Sequence, residues 1–352
     1  MNTRRTGVIT ALLLTAALFL SMPGILRAFV PLDTNRMDER LRPPRMRTLT
    51  VWMIPGKTGD EKLISQACAA FEKAHPGVRI FLRVADAEEL YADDAVLPDV
   101  ALFDTGGVNM PEEAFLPLAD GAESSAMYAG VSYAVPLWLS PSVISLPRSW
   151  MQAEAAPRSP SLLADSPPAE EEAREVVDAS ALPWERITQA GALQCPDGVA
   201  LQQLLCMCPY ASRAALAQAA RAPHQELRAQ VMTLRDHLKA ARDGRALSAC
   251  LLTPAVCDRV RYAALCRDGQ DAQDFLAFLQ TGMAQEALTA GFIPLGQPDV
   301  SAQGLTGQAL MLFSGVRTLP NAFAHTRSEL ETLCRDSFDR SLDPVETLLK
   351  LR

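Results

Sequence analysis

The sequence has little of what would hold nucleic acid, a catalytic zinc ion or a long sugar chain. Its 352 residues include 33 Lys and Arg against 41 Asp and Glu, a net charge of −8. Nucleic-acid binding needs an excess of basic side chains, so we expect no nucleic-acid partner. The four His residues form no His-Glu-x-x-His pattern, which disfavours a zinc hydrolase. Four Trp and five Tyr also disfavour a large oligosaccharide cleft.

The eight cysteines are not spaced as a metal site. One residue separates Cys206 from Cys208, and Cys250, Cys257 and Cys266 are loosely spaced, whereas a zinc site pairs two close clusters. We therefore expect no metal ion and no cofactor. Disulfide connectivity does not follow from this spacing.

Residues 1–30 have the pattern of an export signal. Arg4 and Arg5 precede a long uncharged apolar run, which is typical of a signal peptide or a membrane anchor. The polar residues 31–47 are typical of a linker. We expect an exported protein on the extracellular or periplasmic side, tethered to the plasma membrane through residues 8–30 if these are not cleaved.

Residues 48–138 are predicted to form an N-terminal α/β lobe. Thr58-x-x-Glu61 matches a capping box and predicts a helix, with Cys68 as a buried thiol on its apolar face. Pro136 indicates an edge strand or a crossing segment. Apolar runs in and just after this lobe predict strands at 49–54, 78–84, 98–103, 133–139 and 142–146.

Residues 139–270 are predicted to form a second lobe that is reduced and mostly helical. The Ala-, Pro-, Ser- and Glu-rich stretch at 151–175 is typical of a solvated excursion. Residues 271–352 are predicted to be C-terminal helices that return to pack on the lobes and the hinge. From residue 184 onward the pattern predicts helices at 184–192, 199–207, 214–242, 272–279 and 284–290.

The sequence offers no positive sign of catalysis. Gly56-Lys57-Thr58 follows a predicted strand and opens a helix, as in a phosphate-binding loop, but the first glycine of that motif is replaced by Val51. Gly130-x-Ser132-x-Ala134 lacks the second glycine of a nucleophile elbow. We therefore expect a protein that is not an enzyme.

Several segments occur in an order that is typical of one protein family. They are LTVWMIPGKTGDEKLISQACAAFEKAHPGVRIFLRV at 49–84, LPDV at 97–100, FLPLA at 115–119, YAVPL at 133–137, PWE at 183–185, DFLAFL at 274–279, AQEA at 284–287 and GFIP at 291–294. Their order resembles the extracellular solute-binding proteins of ABC importers (family 1, sugar-binding type), in a divergent form. The resemblance implies a two-lobe, periplasmic-binding-protein-like (type II) fold with a hinge, closing on a ligand.

Loop residues at the strand ends are the candidates for ligand contact that this resemblance implies. Aromatic rings stack on sugars or enclose cations, and an acidic side chain binds hydroxyls or an amine. For Trp52 and Trp138 core packing is the alternative, and for residues 104–106 it is an Asx turn. The candidate residues are Trp52, Gly56, Lys57, Asp104, Thr105, Gly106, Tyr133 and Trp138.

Three functions stay open at this point. The first is a solute-binding protein that delivers a small molecule, with a sugar as the first class to consider, to the permease subunits of an ABC transporter. The second is a divergent domain of this kind that acts as an extracytoplasmic sensor or interaction module without transport. The third is an exported hydrolase or thiol enzyme, for which the reactivity of Cys206 and Cys208 is the test.

Overall fold

The computed structural model describes residues 46–92, 96–118, 126–152, 182–194, 228–251, 259–295, 300–313 and 321–340, with single positions between 215 and 223. The chain divides into two compact units, Met1–Arg47 and Thr48–Arg352. The predicted signal or anchor at 1–30 and nearly all of the predicted linker lie outside the described residues. So does the predicted excursion beyond residue 152. Within the described ranges, no helix combines the length and apolarity that a membrane crossing needs.

The secondary structure alternates strands and helices along the chain. The strands are β1 Arg47–Met53, β2 Val78–Val84, β3 Val100–Asp104, β4 Met127–Tyr128, β5 Val131–Ser132, β6 Val135–Leu139, β7 Ser142–Pro147, β8 Leu193–Gln194, β9 Ala229–Thr233, β10 Leu247–Leu251, β11 Val260–Leu265 and β12 Ile293–Pro294. The α-helices are α1 Glu61–Ala74, α2 Pro111–Ala114, α3 Arg148–Gln152, α4 Trp184–Ile187, α5 Leu234–Arg242, α6 Gln270–Ala277, α7 Ala284–Thr289, α8 Gly304–Phe313 and α9 Arg327–Arg340. A 3-10 helix spans Ala87–Tyr91, and a π-helical turn spans Phe278–Gly282.

Six strands form the larger sheet, in the order β12-β6-β11-β3-β1-β2. β1 and β3 run parallel, with Val51 opposite Val100. β11 runs antiparallel to both of its neighbours, β3 and β6. This sheet therefore combines strands from the first third of the chain with strands that lie after residue 259.

Both faces of the larger sheet are buried. Trp52, Ile54 and Phe103 belong to one apolar cluster, while Val51 and Leu102 belong to a second cluster on the opposite face. Successive strand residues point to opposite faces, so a strand covered on both sides needs apolar residues at every position. This is why β1 and β3 are continuous apolar runs.

Helix α1 packs on the second of these clusters. Leu63, Ala67 and Phe71 recur at helical spacing and are buried. The helix begins after Asp60 as N-cap, and no side-chain cap hydrogen bond forms, so the predicted capping box from Thr58 is wrong. The carboxylate of Asp60 has partners elsewhere, described below.

The second sheet has the order β10-β7-β9-β8. β7 lies antiparallel to both β10 and β9, and β8 lies parallel to β9. We predicted one long helix at 214–242, but the chain forms β9 before α5 begins at Leu234. The predicted helix at 199–207 lies outside the described residues, and α4 ends at Ile187. This lobe therefore contains a sheet where we predicted mostly helix.

Strand β9 has only five residues of mixed polarity, so its alternation of buried and half-buried side chains is too short to be recognised in the sequence. In β9 only alternate residues are buried, Ala229, Val231 and Thr233. Pairing with β7 on one side and β8 on the other decides its conformation, since isolated strand preference is weak.

Pro136 does not lie on an edge strand. β6 has β11 on one side and β12 on the other. Pro136 lies opposite Tyr262, where the register between β6 and β11 shifts. Proline lacks an N–H to donate, and a bulge is one of the few places where a paired strand accepts it.

Candidate functional site at the strand ends

The strand register brings three of the larger side chains into one row. Trp138 on β6 lies opposite Arg261 on β11, and Arg261 lies opposite Asp104 on β3. Asp60, at the start of α1, joins this row through its carboxylate. We call Asp60, Asp104, Trp138 and Arg261 the Arg261 cluster.

The guanidinium group of Arg261 is the centre of this cluster and is 1% exposed. Its Nη2 and Nε atoms donate to the two carboxylate oxygens of Asp60 at 2.6 and 3.0 Å. Its Nη1 atom donates to the carbonyl oxygen of Ile54 at 3.2 Å. The planar fork of arginine matches a carboxylate in this two-point geometry, which a lysine could not reproduce.

Asp60 also accepts a hydrogen bond from the indole of Trp138. The Trp138 Nε1 atom donates to Asp60 Oδ2 at 2.6 Å. Both side chains are buried, so the indole N–H is satisfied inside the protein rather than by a ligand. Of the two interpretations that the sequence left open for Trp138, the structure shows packing.

Asp104 is the second carboxylate beside Arg261. Its Oδ1 atom lies 3.1 Å from Arg261 Nε, whose one hydrogen is already donated to Asp60. Burial lowers the pKa of Arg261, but the charges of Asp104 and Asp60 outweigh this effect and raise the pKa overall. Arg261 is therefore always charged, and two carboxylates face one guanidinium in a buried site.

The turn after β1 is shaped around the Asp104 carboxylate. Asp104 Oδ2 accepts a hydrogen bond from the backbone N–H of Thr58 at 2.8 Å. A Cβ atom at Gly56 would lie 2.0 Å from the same oxygen. Glycine is therefore needed at position 56 to let a carboxylate approach the backbone, and not to cradle a phosphate.

Three buried polar atoms near this turn have no hydrogen-bond partner among the described residues. They are Asp104 Oδ1, the hydroxyl of Thr58 and the hydroxyl of Thr105. Buried polar groups are normally paired, so these three atoms make the interior between the turn after β1 and the end of β3 unusually polar. No group of His, Cys, Asp or Glu in the described ranges is arranged to hold a metal ion.

Residues 321–340, which we call the C-terminal segment, cover the end of β3. The N–H of Gly106 donates to the carbonyl of Ala322 at 2.9 Å, and the N–H of Arg327 donates to the carbonyl of Gly106 at 2.8 Å. Gly106 has a φ of +71°, and a Cβ there would lie 2.8 Å from the carbonyl oxygen of His325. Only glycine fits this position without displacing the segment.

A salt bridge between Lys57 and Glu331 joins the turn after β1 to helix α9. The hydrogen bond from Lys57 lowers the pKa of Glu331, and the nearby charges of Lys57 and Arg327 add to this effect. Both side chains are partly exposed, so the pair contributes little to stability. The salt bridge joins the C-terminal segment to the turn after β1, where we predicted ligand contacts at Gly56 and Lys57.

The eight predicted contact residues do not form one accessible surface. Gly56 and Lys57 are exposed and Tyr133 is half-buried, packed against the first apolar cluster. The indole of Trp52 is buried beneath the Arg83 guanidinium, at 5.1 Å. The remaining four are buried in or beside the Arg261 cluster: Asp104, Thr105, Gly106 and Trp138.

The sequence analysis missed Asp60, Arg261 and Glu331. Arg261 had a usable signal, because it is a charged residue inside the apolar run of β11, all six residues of which are buried. A charge in such a run needs a buried partner. Asp60 and Glu331 stand in polar contexts and carried no comparable signal.

A serine and a histidine meet in the second lobe. Ser145 Oγ lies 3.0 Å from His237 Nδ1, and both residues are buried. Burial lowers the pKa of His237 to about 4, with the charge of Arg148 adding to the effect. His237 is therefore neutral at pH 7.

Two of the described thiols, Cys68 and Cys266, do not have the character of nucleophiles. Burial raises the pKa of both Cys68 and Cys266 to about 12, and the charges of Glu72 and Asp99 raise them further. At neutral pH both are protonated, whereas the thiolate is the reactive form. Cys206 and Cys208, on which the thiol-enzyme hypothesis depended, lie outside the described residues.

Solved structures similar to this chain include solute-binding proteins and one enzyme. The GacH receptor of Streptomyces glaucescens GLA.O, solved unliganded and with acarbose, is 12% identical over 86% of this chain and 96% of that chain, with a TM-score of 0.52. The galacto-N-biose-/lacto-N-biose I-binding protein of the ABC transporter from Bifidobacterium longum is 12% identical over 87% and 95%, with a TM-score of 0.49. Thiaminase I from Bacillus thiaminolyticus is 12% identical over 86% and 99%, with a TM-score of 0.46.

The chain therefore has the two-lobe α/β fold of the ABC solute-binding proteins, as the sequence resemblance implied. No protein-family model matches the chain, and the search of curated proteins found no match. At 12% identity the likeness to the solved structures establishes the fold, while the ligand and the partners are matters for proposal.

Proposed function

We propose that this chain is an exported solute-binding protein that binds a small molecule and delivers it to the permease of an ABC transporter. The observation that carries the proposal is the extent of the fold match, which includes 96% of the GacH receptor. Such a protein works by lobe closure and catalyses no reaction. Since that receptor was solved with acarbose, sugars are the first ligand class to test.

The ligand would contact the loops after β1 and β3. Lys57 and Gly56 are exposed there, and Lys57 can donate to a hydroxyl or pair with an anion. Asp104 and Trp138 are buried just behind them, so they support these loops rather than touch the ligand in this conformation. Ligand contact by Asp104, Thr105 or Gly106 requires the C-terminal segment to move away.

Export and membrane attachment belong to the same proposal. The Arg pair and apolar run within residues 1–30 support them, since this is the pattern of a signal or an anchor. The permease subunits are the proposed macromolecular partner. Tethering through residues 8–30 requires that this segment is retained.

A second candidate function is a sensor or interaction module that no longer transports a solute. One observation favours it. The C-terminal segment covers Gly106 by two backbone hydrogen bonds and pairs with Lys57, so the place where the cleft should admit a ligand is occupied by the protein itself.

Ligand titration of two matched variants tests the proposal. A thermal-shift screen of the full chain against sugars, amino acids and polyamines identifies a ligand, because binding to the native state raises the unfolding temperature. Lys57→Gln should weaken that ligand's affinity about tenfold, since a charge-assisted contact is lost. Lys62→Gln, an exposed lysine on α1, should bind as the unmodified protein does.

The outcomes separate the two functions. Saturable binding that is weakened by Lys57→Gln but not by Lys62→Gln supports solute binding at the strand ends. No shift with any compound of the screen argues against transport and favours the interaction module. Equal binding by both variants would place the ligand elsewhere and overturn the proposed contacts.

A further inference from the structure

The Arg261 cluster contains more negative than positive charge. Asp60 and Asp104 bring two carboxylates and Arg261 brings one guanidinium, so these three side chains carry one excess negative charge. All three are buried, and Asp104 is 2% exposed. A buried charge without a partner is costly, so a native fold normally compensates it.

The hydrogen bonds show where the excess charge lies. Both carboxylate oxygens of Asp60 accept from Arg261, and its Oδ2 atom also accepts from the indole of Trp138. Asp104 accepts one hydrogen bond, from the backbone N–H of Thr58 to its Oδ2 atom. Its Oδ1 atom has no hydrogen-bond donor among the described residues, although Arg261 Nε lies 3.1 Å away. The excess charge is therefore at Asp104 Oδ1.

The start of helix α1 does not supply the missing positive charge. The N-terminus of a helix is partly positive, but Glu61 in the first turn of α1 brings a further carboxylate there. Burial lowers the pKa of Arg261, and the charges of Asp104, Asp60 and Glu61 raise it overall. Negative charge therefore dominates around this guanidinium.

Two basic side chains approach the same turn, and each already has an acidic partner. Lys57 forms a salt bridge with Glu331 on α9. A Cβ atom at Gly59 would lie 2.8 Å from Arg235 Nη1, so Arg235 reaches this turn, and it lies 3.4 Å from Asp236. Within the described ranges, the basic group that pairs with Asp104 is that of Arg261, which Asp60 already shares.

The hydroxyl of Thr58 is a second unused oxygen beside Asp104. Thr58 is 1% exposed, and its hydroxyl has no hydrogen-bond partner in the part of the chain that the structure describes. The Thr58 nitrogen lies 2.8 Å from Asp104 Oδ2, and covalent geometry keeps the hydroxyl within about 4 Å of that nitrogen. Carboxylate and hydroxyl oxygens are hard ligands and suit hard cations.

We infer that the fold binds one monovalent metal cation, Na⁺ or K⁺, between the end of β3 and the turn after β1, with Asp104 Oδ1 and the Thr58 hydroxyl as ligands. One positive charge makes the cluster neutral, whereas a divalent ion would leave one excess positive charge. Divalent ions also prefer several carboxylates, and no such group occurs in the described ranges. The cation would hold the turn at Gly56 against the carboxylate of Asp104.

This site does not depend on the proposed function. Its ligands are buried beneath the turn whose exposed residues, Gly56 and Lys57, are the proposed contacts for a solute. A chain that binds the cation and no solute would contradict the proposed function alone. A chain that binds a solute and no cation would contradict this inference alone.

The unfolding temperature of the full chain in matched chloride salts tests the inference. The salts are sodium, potassium, ammonium and tetramethylammonium chloride at one ionic strength, and tetramethylammonium is too large for a buried site. A ligand of the native state raises the unfolding temperature. We therefore expect sodium or potassium chloride to raise it, in a saturable way, above its value in tetramethylammonium chloride.

Two variants at the site identify the ligands. Asp104→Asn keeps the shape of the side chain and should weaken the cation affinity about tenfold or more, while Thr58→Val should weaken it about threefold. In tetramethylammonium chloride, Asp104→Asn should unfold at the wild-type temperature or above it, because the excess charge is gone. If Asp104 served only as an ion-pair partner of Arg261, this variant would unfold at a lower temperature in every salt.

A matched control makes the same charge change elsewhere. Asp243→Asn removes an exposed carboxylate at the end of α5 and should keep the wild-type response to each salt. Far-ultraviolet circular dichroism verifies that every variant is folded before its unfolding is measured.

Several results would overturn the inference. They are equal unfolding temperatures of the wild type in all four salts, stabilisation by ammonium chloride but by neither metal salt, an unchanged response to sodium and potassium in Asp104→Asn, and loss of that response in Asp243→Asn.

Discussion

At the residue scale, the buried arginine of β11 shows how the fold admits a charge into its core. Arg261 donates two hydrogen bonds to Asp60 and holds Asp104 by charge, and the indole N–H of Trp138 donates a third hydrogen bond to Asp60. Buried ion pairs contribute modestly when complete but cost several kcal/mol when one partner is removed. The Arg261 cluster is therefore sensitive to loss of its centre.

Replacing Arg261 by leucine should destabilise the protein by about 3–5 kcal/mol, because two buried carboxylates lose their positive partner. Urea denaturation at pH 7 measures the change. Arg267→Leu, two residues beyond the same strand and exposed, should change stability by less than about 0.5 kcal/mol. Equal loss in both variants would contradict the role assigned to Arg261.

Gly56 is the second residue whose identity the fold requires. Gly56→Ala should cost about 1–3 kcal/mol, since its Cβ would lie 2.0 Å from Asp104 Oδ2 and displace the carboxylate from the Thr58 N–H. Thermal unfolding followed by circular dichroism measures this. Gly269→Ala is the control, because its Cβ meets no atom within 4 Å; it should cost about 0.5 kcal/mol as a poorer N-cap. A larger loss of stability in Gly269→Ala than in Gly56→Ala would contradict the close contact at Gly56.

At the scale of elements, four strands of the larger sheet (β1, β2, β3 and β6) were predicted, the apolar strand β11 was missed, and helix starts were less predictable. The strand at 78–84 was predicted with its observed bounds, and the other predicted strands begin or end within two residues of theirs. Buried strands carry their own signal in a continuous apolar run. The predicted start of α1, with Thr58 as N-cap, was wrong. The N-cap is Asp60, and its side chain binds Arg261, 201 residues away, instead of capping the helix.

Helix α5 is joined to the second sheet by the Ser145–His237 hydrogen bond. The pKa of His237 is about 4 in the folded chain and 6.5 is its ordinary value, so the unfolded chain binds a proton first as the pH falls. The stability that the neutral ring provides is therefore complete above pH 6.5 and is lost as the pH falls toward 4.

We expect the wild-type protein to lose roughly 2 kcal/mol between pH 7 and pH 5 relative to His237→Leu, which cannot take up this proton. Urea denaturation at the two pH values measures the difference. Ser145→Ala keeps His237 and its burial, so it should retain the wild-type pH dependence. Parallel pH profiles of wild type and His237→Leu would show that His237 does not titrate in this range.

At the scale of the whole molecule, the fold brings distant parts of the chain to one place. The larger sheet inserts β11 between β6 and β3, and the C-terminal segment returns to cover the end of β3. A ligand that contacted Gly106 would therefore compete with the backbone hydrogen bonds that Gly106 forms with Ala322 and Arg327.

What the sequence determined by itself is the local structure and the kind of fold. Apolar runs and helical spacing are set by neighbouring residues, so β1, β2, β3 and β6 of the larger sheet, helix α1 and the ordered motifs of the solute-binding fold could be recognised. The other two strands of that sheet, β11 and β12, were not predicted. Gly56 and Gly106 were also correctly placed after β1 and β3, whereas Asp104, predicted in the loop, is the last residue of β3. The sequence did not show that the first turn binds the Asp104 carboxylate or that the second is covered by the C-terminal segment.

Only the tertiary structure decided which charges meet and which surfaces stay open. Arg261 lies opposite Asp104 and Trp138 because β11 is inserted between β3 and β6, a pairing that no local pattern encodes. The same holds for the C-terminal segment over Gly106. The physical reason is that hydrophobic periodicity is read over a few residues, whereas burial and pairing of charges depend on partners that topology brings from far along the chain.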